Sequence, residues 1–467
     1  MGAFAVSALT KYNFFYLYFF LMGQYKIRKG LDLDLAGEAP LQVKEAPLAA
    51  EYAISPADFT GVTPKLVVKE GENVLAGSPL FVDKATESIA FVSPVSGTVK
   101  AIERGERRKI LYIRITPDAT QVAKEFKATD VAKATREEVL NLLLQSGLFA
   151  FMRQRPYDVV ANAQDAPKAI FVSAFSKMPL AADFTFVAKG QEEDFRLGVA
   201  ALSKLAQVHV GVSPEQINTS ILPLEGADVN VFDGPNPAGN VGVQINHISP
   251  VNKGEVVWTM GAEAVIFVGR LMRTGKVDLT RIIAVAGSKI AEPTYLKVKV
   301  GAPISSIIPA VDAHVRIIDG NPLVGKKTTT ADFLGAFSTE VCALPEGDDV
   351  DELFGWIMPR VNDFSTSRSY LSWLMGKGKK YDLDCRIKGG ERHMIMSAEY
   401  ERVFPMDIYP SYLVKAIITG DIDRQEALGI YEVAPEDFAV AEFIDSSKLE
   451  LQRIVREGLD ILRKENS

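Results

Sequence analysis

Cysteine and histidine are scarce in this chain. Its 467 residues hold two cysteines, Cys342 and Cys385, and four histidines, His209, His247, His314 and His393, all distant from one another in sequence. A cubane iron–sulfur cluster takes four thiolates and a structural zinc four closely spaced Cys or His ligands, so this inventory assembles neither by any recognisable pattern. So few thiols fit a reducing cytosolic setting. Nucleotide and hydrolase signatures are missing too: there is no G-x-G-x-x-G between a strand and a helix, no P-loop, no nucleophile elbow, no HExxH and no EF-hand loop. Basic charge is not in excess. With 52 Lys and Arg against 59 Asp and Glu, a formal net charge of -7 argues against a broad nucleic-acid footprint. Long apolar runs are absent as well. The nearest, "YNFFYLYFFLM" at residues 12 to 22, falls short of the about 20 residues that span a bilayer, and it lacks the basic flank and cleavage site of a signal peptide. Ordinary mixing of charged and apolar residues begins directly after Met22. Residues 1 to 21 therefore read as a mis-assigned translation start, with an interfacial anchor as the alternative.

What is present is the composition of a globular protein, 47% apolar and 24% charged, in a chain long enough for two to four domains. Residues 62 to 117 alternate short Val/Ile-rich runs with Gly and Pro turns and read as β-strands. "TREEVLNLLLQSG" then has an acidic first turn, apolar residues at Val139, Leu142, Leu143 and Leu144, and Gly147 where a helix stops. "KAIFVSAF", "EEDFRLGVAALSKLA" and "QVHVGVS" give strand, helix, strand, the grammar of a parallel sheet. The Gly/Pro loop "DGPNPAGNVG" (233 to 242) has the wrong spacing for a phosphate cradle and reads as a structural turn. Residues 271 to 335 are again mostly β. The C-terminal "SSKLELQRIVREGLDILRKE" predicts an amphipathic helix with apolar residues at 449, 451, 454, 459, 461 and 462, capped by Asp445, Ser446 or Ser447.

Two stretches carry possible chemistry. "KEGENVLAGSPLFVDKATESIAFVSPVSGTVKAI", residues 69 to 102, has the turns of a biotin or lipoate carrier hairpin. Thr86 stands where the modified lysine belongs, and Lys84 comes two residues early, so the hairpin is expected without its attachment chemistry. "FMRQRPYD", residues 151 to 158, sets two arginines before Pro and Tyr. From spacing alone it reads as a solvated basic loop whose arginines pair with nearby acids. The sharper alternative is a site for a flat, carbonyl-bearing ligand such as a quinone.

A family resemblance joins these pieces. From about Tyr25 onward, "KIRKGLDLDLAG", "SPVSGTV", "RGERR", "QSGLFAFMRQRPYD", "AIFVSAFSKMPLAAD", "VFDGPNPAGNVG", "INHISPVNKGEVVW", "ELFGWIMP" and "YERVFPMDIYP" occur in the order found in the A-type subunit of the bacterial Na+-translocating NADH:quinone reductase (Na+-NQR), and the chain resembles that family along nearly its whole length. The resemblance implies an α/β multidomain fold: a biotinyl/lipoyl-like barrel-sandwich hybrid at 25–125, a Rossmann-like α/β domain at 126–260, a β-grasp (SLBB-like) module at 261–340 and a mixed, then helical, C-terminal domain at 341–467. It implies a peripheral subunit on the cytoplasmic face of the bacterial inner membrane, partnered by the membrane-embedded and flavin/Fe–S subunits of the complex. NADH, FAD, FMN and Fe–S clusters would reside in those partners, with no flavin or cluster in this chain and ubiquinone or menaquinone as substrate. The family is similar in architecture to the NADH-binding subunit of complex I and to the C-type subunit of the Rnf complex. Where those have a glycine-rich "GGAGFP" loop, this chain has "FMRQRP", and Asp445 stands where a cluster thiolate would be. The family's quinone region implies Phe59 and Gly61 in "SPADFTGVTP" and Arg153, Arg155, Pro156 and Tyr157 in "RQRPYD". Asn236 departs from the family's "GPHPAG" and weakens a histidine role there. The other readings are a purely structural assembly protein of the complex and a flavin- or NADH-binding protein of the Rnf type.

Overall fold

A computed structural model describes residues 22–348, 360–366, 372, 374 and 378–466; the expected mis-assigned start at residues 1 to 21 lies outside them. The centre is a seven-stranded sheet built from β1 (Gly23–Lys26), β2 (Met152–Arg155), β3 (Val159–Val160), β4 (Ile170–Ser173), β5 (Val208–Val212), β6 (Ala227–Asp233) and β7 (Val257–Met260). Their spatial order is β1-β6-β5-β4-β7-β2-β3. The first five positions are parallel to one another, and β2 runs antiparallel to β7. The apolar run at β4 is continuous because both faces of the sheet are covered. Ile170 and Val172 enter one core while Phe171, between them, enters the other, the two-residue period of a strand.

Several longer helices position the site. α1 (Arg136–Ser146) starts on a capping box between Thr135 and Glu138 and, as the sequence predicts, stops at Gly147, which is left-handed at φ 74°. On one face of the sheet, α2 (Glu192–Leu202) crosses α4 (Ala262–Thr274). On the other, α3 (Val241–Ile248) shares a core with α5 (Pro410–Ile418) and α6 (Leu451–Glu465). The C-terminal helices are thus the second cover of the central sheet rather than a detached unit. The α2–α4 crossing depends on two glycines. A Cβ on Gly198 would lie 2.1 Å from the Val265 carbonyl oxygen, and one on Gly269 would lie 1.7 Å from that of Asp194. Gly269→Leu is accordingly expected to force the helices apart at a cost of about 1–3 kcal/mol, read as a lower midpoint of thermal unfolding; a parent-like midpoint would refute this packing.

Two smaller β units flank the centre. In the barrel, a four-stranded sheet (Tyr52–Ile54, Ile110–Pro117, Gly97–Arg104, Asn73–Val74) faces a three-stranded one (Pro64–Leu66, Pro79–Asp83, Ala90–Val92). The carrier-like tip at 84 to 89 includes Thr86, whose carbonyl accepts from the Ile89 amide at 2.9 Å. The β-grasp unit is a six-stranded sheet containing Thr280–Ala286, Thr294–Lys299, Val315–Asp319, Lys326–Thr328 and Glu340–Pro345.

Several element positions differ from expectation. The sequence groups the residues before Ala49 with the barrel, yet β1 pairs with β6, and Val43–Glu45 pairs with the β-grasp strand Thr294–Lys299. Alternation alone does not tell an edge strand which sheet to join. α4, expected in the β-grasp module, packs on α2 in the α/β unit, and Glu340–Pro345, expected largely in the C-terminal domain, lies inside the six-stranded sheet. The C-terminal helix begins at Leu451, with Ile461 exposed. Asp445 does not cap it. Its two carboxylate oxygens accept from the Ser447 and Leu449 amides and shape the preceding turn, while Glu442 accepts from the Gln452 amide at 2.7 Å.

Candidate functional site

In open α/β sheets, ligands settle beyond the carboxyl ends of the strands at the point where strand order reverses. Here that point lies between β4, from which the chain steps outward to β5 and β6, and β7 on its other side. A cleft of about 600 Å³ opens there, and its lining includes Ser173 at the end of β4, Thr259 and Met260 of β7, and Asn240 and Val241 at the start of α3. All four units meet around it. The barrel side gives Asp58 and Thr60, the β-grasp side Asp319, Lys326 and Phe337, and the C-terminal helices Glu436 and Arg456. A concave space of this size at a domain junction is the usual form of a small-molecule site.

The stretch "FMRQRPYD" is not a solvated loop. Met152–Arg155 is strand β2, hydrogen-bonded to β7, and Arg155 is only 1% exposed. Periodicity gives no hint of this, because a charged strand on the inner side of a sheet carries no apolar signature. The expected pairing with acids is present. Arg153 Nη2 donates to Asp158 Oδ2 at 2.6 Å, Arg155 Nη1 donates to Asp158 Oδ1, and Arg155 Nη2 lies 3.5 Å from Glu436 Oε1. Tyr157 and Asp158 adopt φ values of 77° and 52°, left-handed conformations that non-glycine residues hold only when their surroundings fix them. Arg456 supplies that fixing: Nη2 donates to the Tyr157 carbonyl at 2.7 Å and Nη1 to that of Asp158 at 3.1 Å. Burial opposes ionisation of Asp158, but Arg153, Arg155 and Arg456 outweigh it and hold the carboxyl below its ordinary range.

Aromatic rings line the same cavity. Phe151 and Phe337 have centroids 5.5 Å apart, and the Arg153 guanidinium sits 5.8 Å from the Phe337 centroid, within cation–π range. Phe59 packs behind both, at 6.2 Å from Phe151 and 5.5 Å from Phe337, and reaches the stacked carrier-hairpin pair Phe81 and Phe91. On the facing wall, Lys326 Nζ is 3.1 Å from Asp58 Oδ1 and 3.5 Å from Asp319 Oδ2. Burial, with Asp58 nearby, pushes the Asp319 carboxyl up. Burial works against the Lys326 charge, but the two carboxylates prevail and raise its pKa.

Of the six residues the resemblance points to, Arg153 and Arg155 line the cleft. The other four stand behind it. Phe59 is in the aromatic core, Gly61 offers its carbonyl to Arg463 at 3.2 Å, Pro156 follows a cis peptide bond, and Tyr157 Oη accepts from Asn466. Gly61 and Tyr157 thus tie the site's two backbone segments to α6 and the residue after it. Asp58, Asp158, Asp319, Lys326, Phe337, Glu436 and Arg456 are not singled out by the sequence, since only the fold brings them together; Asp158 alone is visible there, as the acid closing the quoted stretch. Asn236 is fully buried away from the cleft, its backbone held by Asp32 and Leu31. No group of three or more Cys, His, Asp or Glu side chains suited to a metal occurs among the described residues.

Beside the cleft, Asp437 is sealed against Gly242 and accepts from the Ala434 amide at 2.8 Å. Burial, reinforced by Glu436 and opposed by Arg155, pushes its carboxyl up from 3.8 to about 7. A folded-state value above the unfolded one favours folding while the acid is neutral, so this contribution is complete below pH 3.8 and lost as pH rises through about 7. Asp437→Asn, which keeps the acceptor, is expected to flatten the fall in thermal midpoint across that window; an unchanged slope would exclude a neutral Asp437.

Comparison with known proteins gives three matches to family models: the NqrA N-terminal barrel-sandwich hybrid domain at residues 25–118, the NqrA second alpha/beta domain at 134–277 and the NQRA C-terminal domain at 282–330. The A-type subunit of the Na(+)-translocating NADH-quinone reductase from Neisseria meningitidis is 36% identical over 448 residues, covering 94% of this chain and 99% of that protein. The proteins of the same name from Saccharophagus degradans and Hahella chejuensis are 35% and 34% identical, with the same coverage. A solved NAD+-reducing [NiFe]-hydrogenase chain matches at 10% identity and a TM-score of 0.35, over 72% of this chain and 62% of that one, too distant to carry an argument.

Proposed function

The chain belongs to the NqrA family, the A-type subunits of Na+-translocating NADH-quinone reductases, and from that premise we propose that its part in the complex is to bind quinone in the four-unit cleft while holding partner subunits in place. The complex oxidises NADH and reduces quinone. In this reading electrons pass through flavins and Fe–S centres of the partners, and this chain contributes a site without a tightly bound cofactor of its own. It sits peripherally on the cytoplasmic face of the membrane. No helix among the described residues is long and apolar enough to cross a bilayer.

The observation that carries the reading is the Arg153 guanidinium over Phe337 at the cleft. A quinone head is a flat ring with two carbonyl acceptors. It can lie on an aromatic face while a guanidinium donates to one oxygen and an ammonium, here Lys326, approaches the other. The charges are largely matched inside the protein, by Asp158 on one wall and by Asp58 and Asp319 on the other, so the cleft suits a neutral ligand better than an anion. Photolabelling the isolated chain with a quinone azide tests this. Labelled peptides are expected from residues 151–158 and around Phe337, protected by excess quinone. Labelling that excess quinone leaves unchanged would reduce the chain to an assembly role, and a stoichiometric flavin spectrum in the purified protein would favour the Rnf-type reading.

A further inference from the structure

The "RGERR" block takes no part in the cleft. It forms the tip of the barrel hairpin between strands Gly97–Arg104 and Ile110–Pro117. The Lys109 amide donates to the Glu106 carbonyl at 3.1 Å, and between them Arg107 (φ 51°, ψ 29°) and Arg108 (φ 61°) are both left-handed. That is a type I′ turn, whose two central positions normally take Asn-Gly because a Cβ is strained there. Here both are arginines. Arg104, Glu106, Arg107, Arg108 and Lys109 are all exposed, giving four cations against one carboxylate within six residues of a chain whose formal charge is -7. Among the described residues neither the Arg107 nor the Arg108 side chain has an ion-pair or hydrogen-bond partner.

We propose that this two-arginine turn is a docking element that receives a carboxylate-bearing surface of a partner subunit. Backbone strain at a solvent-exposed tip is retained where a defined geometry is needed. The turn fixes where the two side chains leave the backbone, and each carries a planar guanidinium fork, the group that recognises carboxylates bidentately. Anionic lipid headgroups act through a diffuse field that asks for charge and not for geometry, so an unstrained lysine-rich loop would serve a membrane as well. Because the chain as a whole is negative, a local concentration of cations is where an acidic partner surface is attracted rather than repelled.

The inference rests on the chain being a subunit of the complex. Its test replaces Arg107→Asn together with Arg108→Gly in the tagged, assembled complex, a pair that suits the turn better than the native one. The thermal midpoint of the purified chain is expected to stay level or rise. The NaCl concentration that strips half of the chain from the detergent-solubilised complex is expected to fall at least about twofold, with Arg107→Lys plus Arg108→Lys in between. Parent-like retention of the Asn-Gly variant overturns the proposal, as does a Lys-Lys variant indistinguishable from the parent. Loss of binding to phosphatidylglycerol vesicles with complex retention unchanged assigns the turn to lipid and also overturns it. A parent chain that never co-purifies with membrane subunits removes the premise itself, an outcome visible before any variant is made.

Discussion

Removing the Asp158 carboxylate is expected to destabilise the chain more than any other single change at the cleft. Asp158→Ala should cost about 3–5 kcal/mol, the range for breaking a buried ion pair from one side, and it should appear as a large fall in the thermal midpoint with earlier proteolysis around residues 151–158. The cause is Arg155, fully enclosed, with an Nε that has no partner and with Asp158 as its near counter-charge. Glu436 does not replace it, because it lies farther off, at 3.5 Å, and its side chain is 34% exposed, so solvent screens it. Arg155 itself is held charged: burial alone would lower its pKa, but the acids around it, Asp158 foremost, raise it. The double variant Arg155→Met with Asp158→Asn should recover most of the loss, since it leaves no lone buried charge. A loss below about 1 kcal/mol in Asp158→Ala, the range of an exposed pair, would mean that the pair is far wetter in solution.

The second large effect concerns the ligand. Arg153→Ala is expected to weaken quinone-analogue binding by roughly ten- to a hundredfold, the range for losing a hydrogen bond from a charged donor. Arg153→Lys, which keeps the charge but loses the planar fork, should fall between. Phe337→Ala removes the platform and should act in the same direction with a smaller magnitude, since cation–π and stacking contacts are individually weaker. Fluorescence titration with a short-chain quinone measures all three. Because Arg153 also bonds Asp158, each variant needs a thermal midpoint beside its affinity. Unchanged affinity in both Arg153→Ala and Phe337→Ala would move quinone out of this cleft.

Legibility in the sequence followed how local the determining physics is. The end of helix α1 could be read to the residue, because Gly147 is a self-contained stop signal, while its Thr135–Glu138 capping box was not picked out. The carrier-like hairpin was readable from its turns, and the parallel sheet from strand–helix–strand alternation. The membership of edge strands was not readable, since the partners of β1 and of Val43–Glu45 are remote in sequence. At the site, adjacent residues were found and dispersed ones were not. Arg153 and Arg155 sit in one quoted stretch, whereas Lys326, Phe337 and Arg456 come from other segments, and no spacing rule links them to it. The burial of Arg155 was invisible for another reason: its counter-charge at Asp158 depends on two left-handed residues, which no helical or strand period encodes.

The first strand places a constraint on synthesis. β1 is among the earliest described residues to leave the ribosome, yet the strand that completes its ladder, β6, follows about two hundred residues later, a delay of about 10–40 s at ordinary elongation rates. Val43–Glu45 waits longer still, for the Tyr295–Lys297 segment. The barrel, whose strands all lie between Tyr52 and Pro117, can close in that interval, with both unpaired segments trailing from its N-terminal end. It is the natural first folding unit, and the leading segment then acts as a tether that sews the two later sheets onto an already finished barrel.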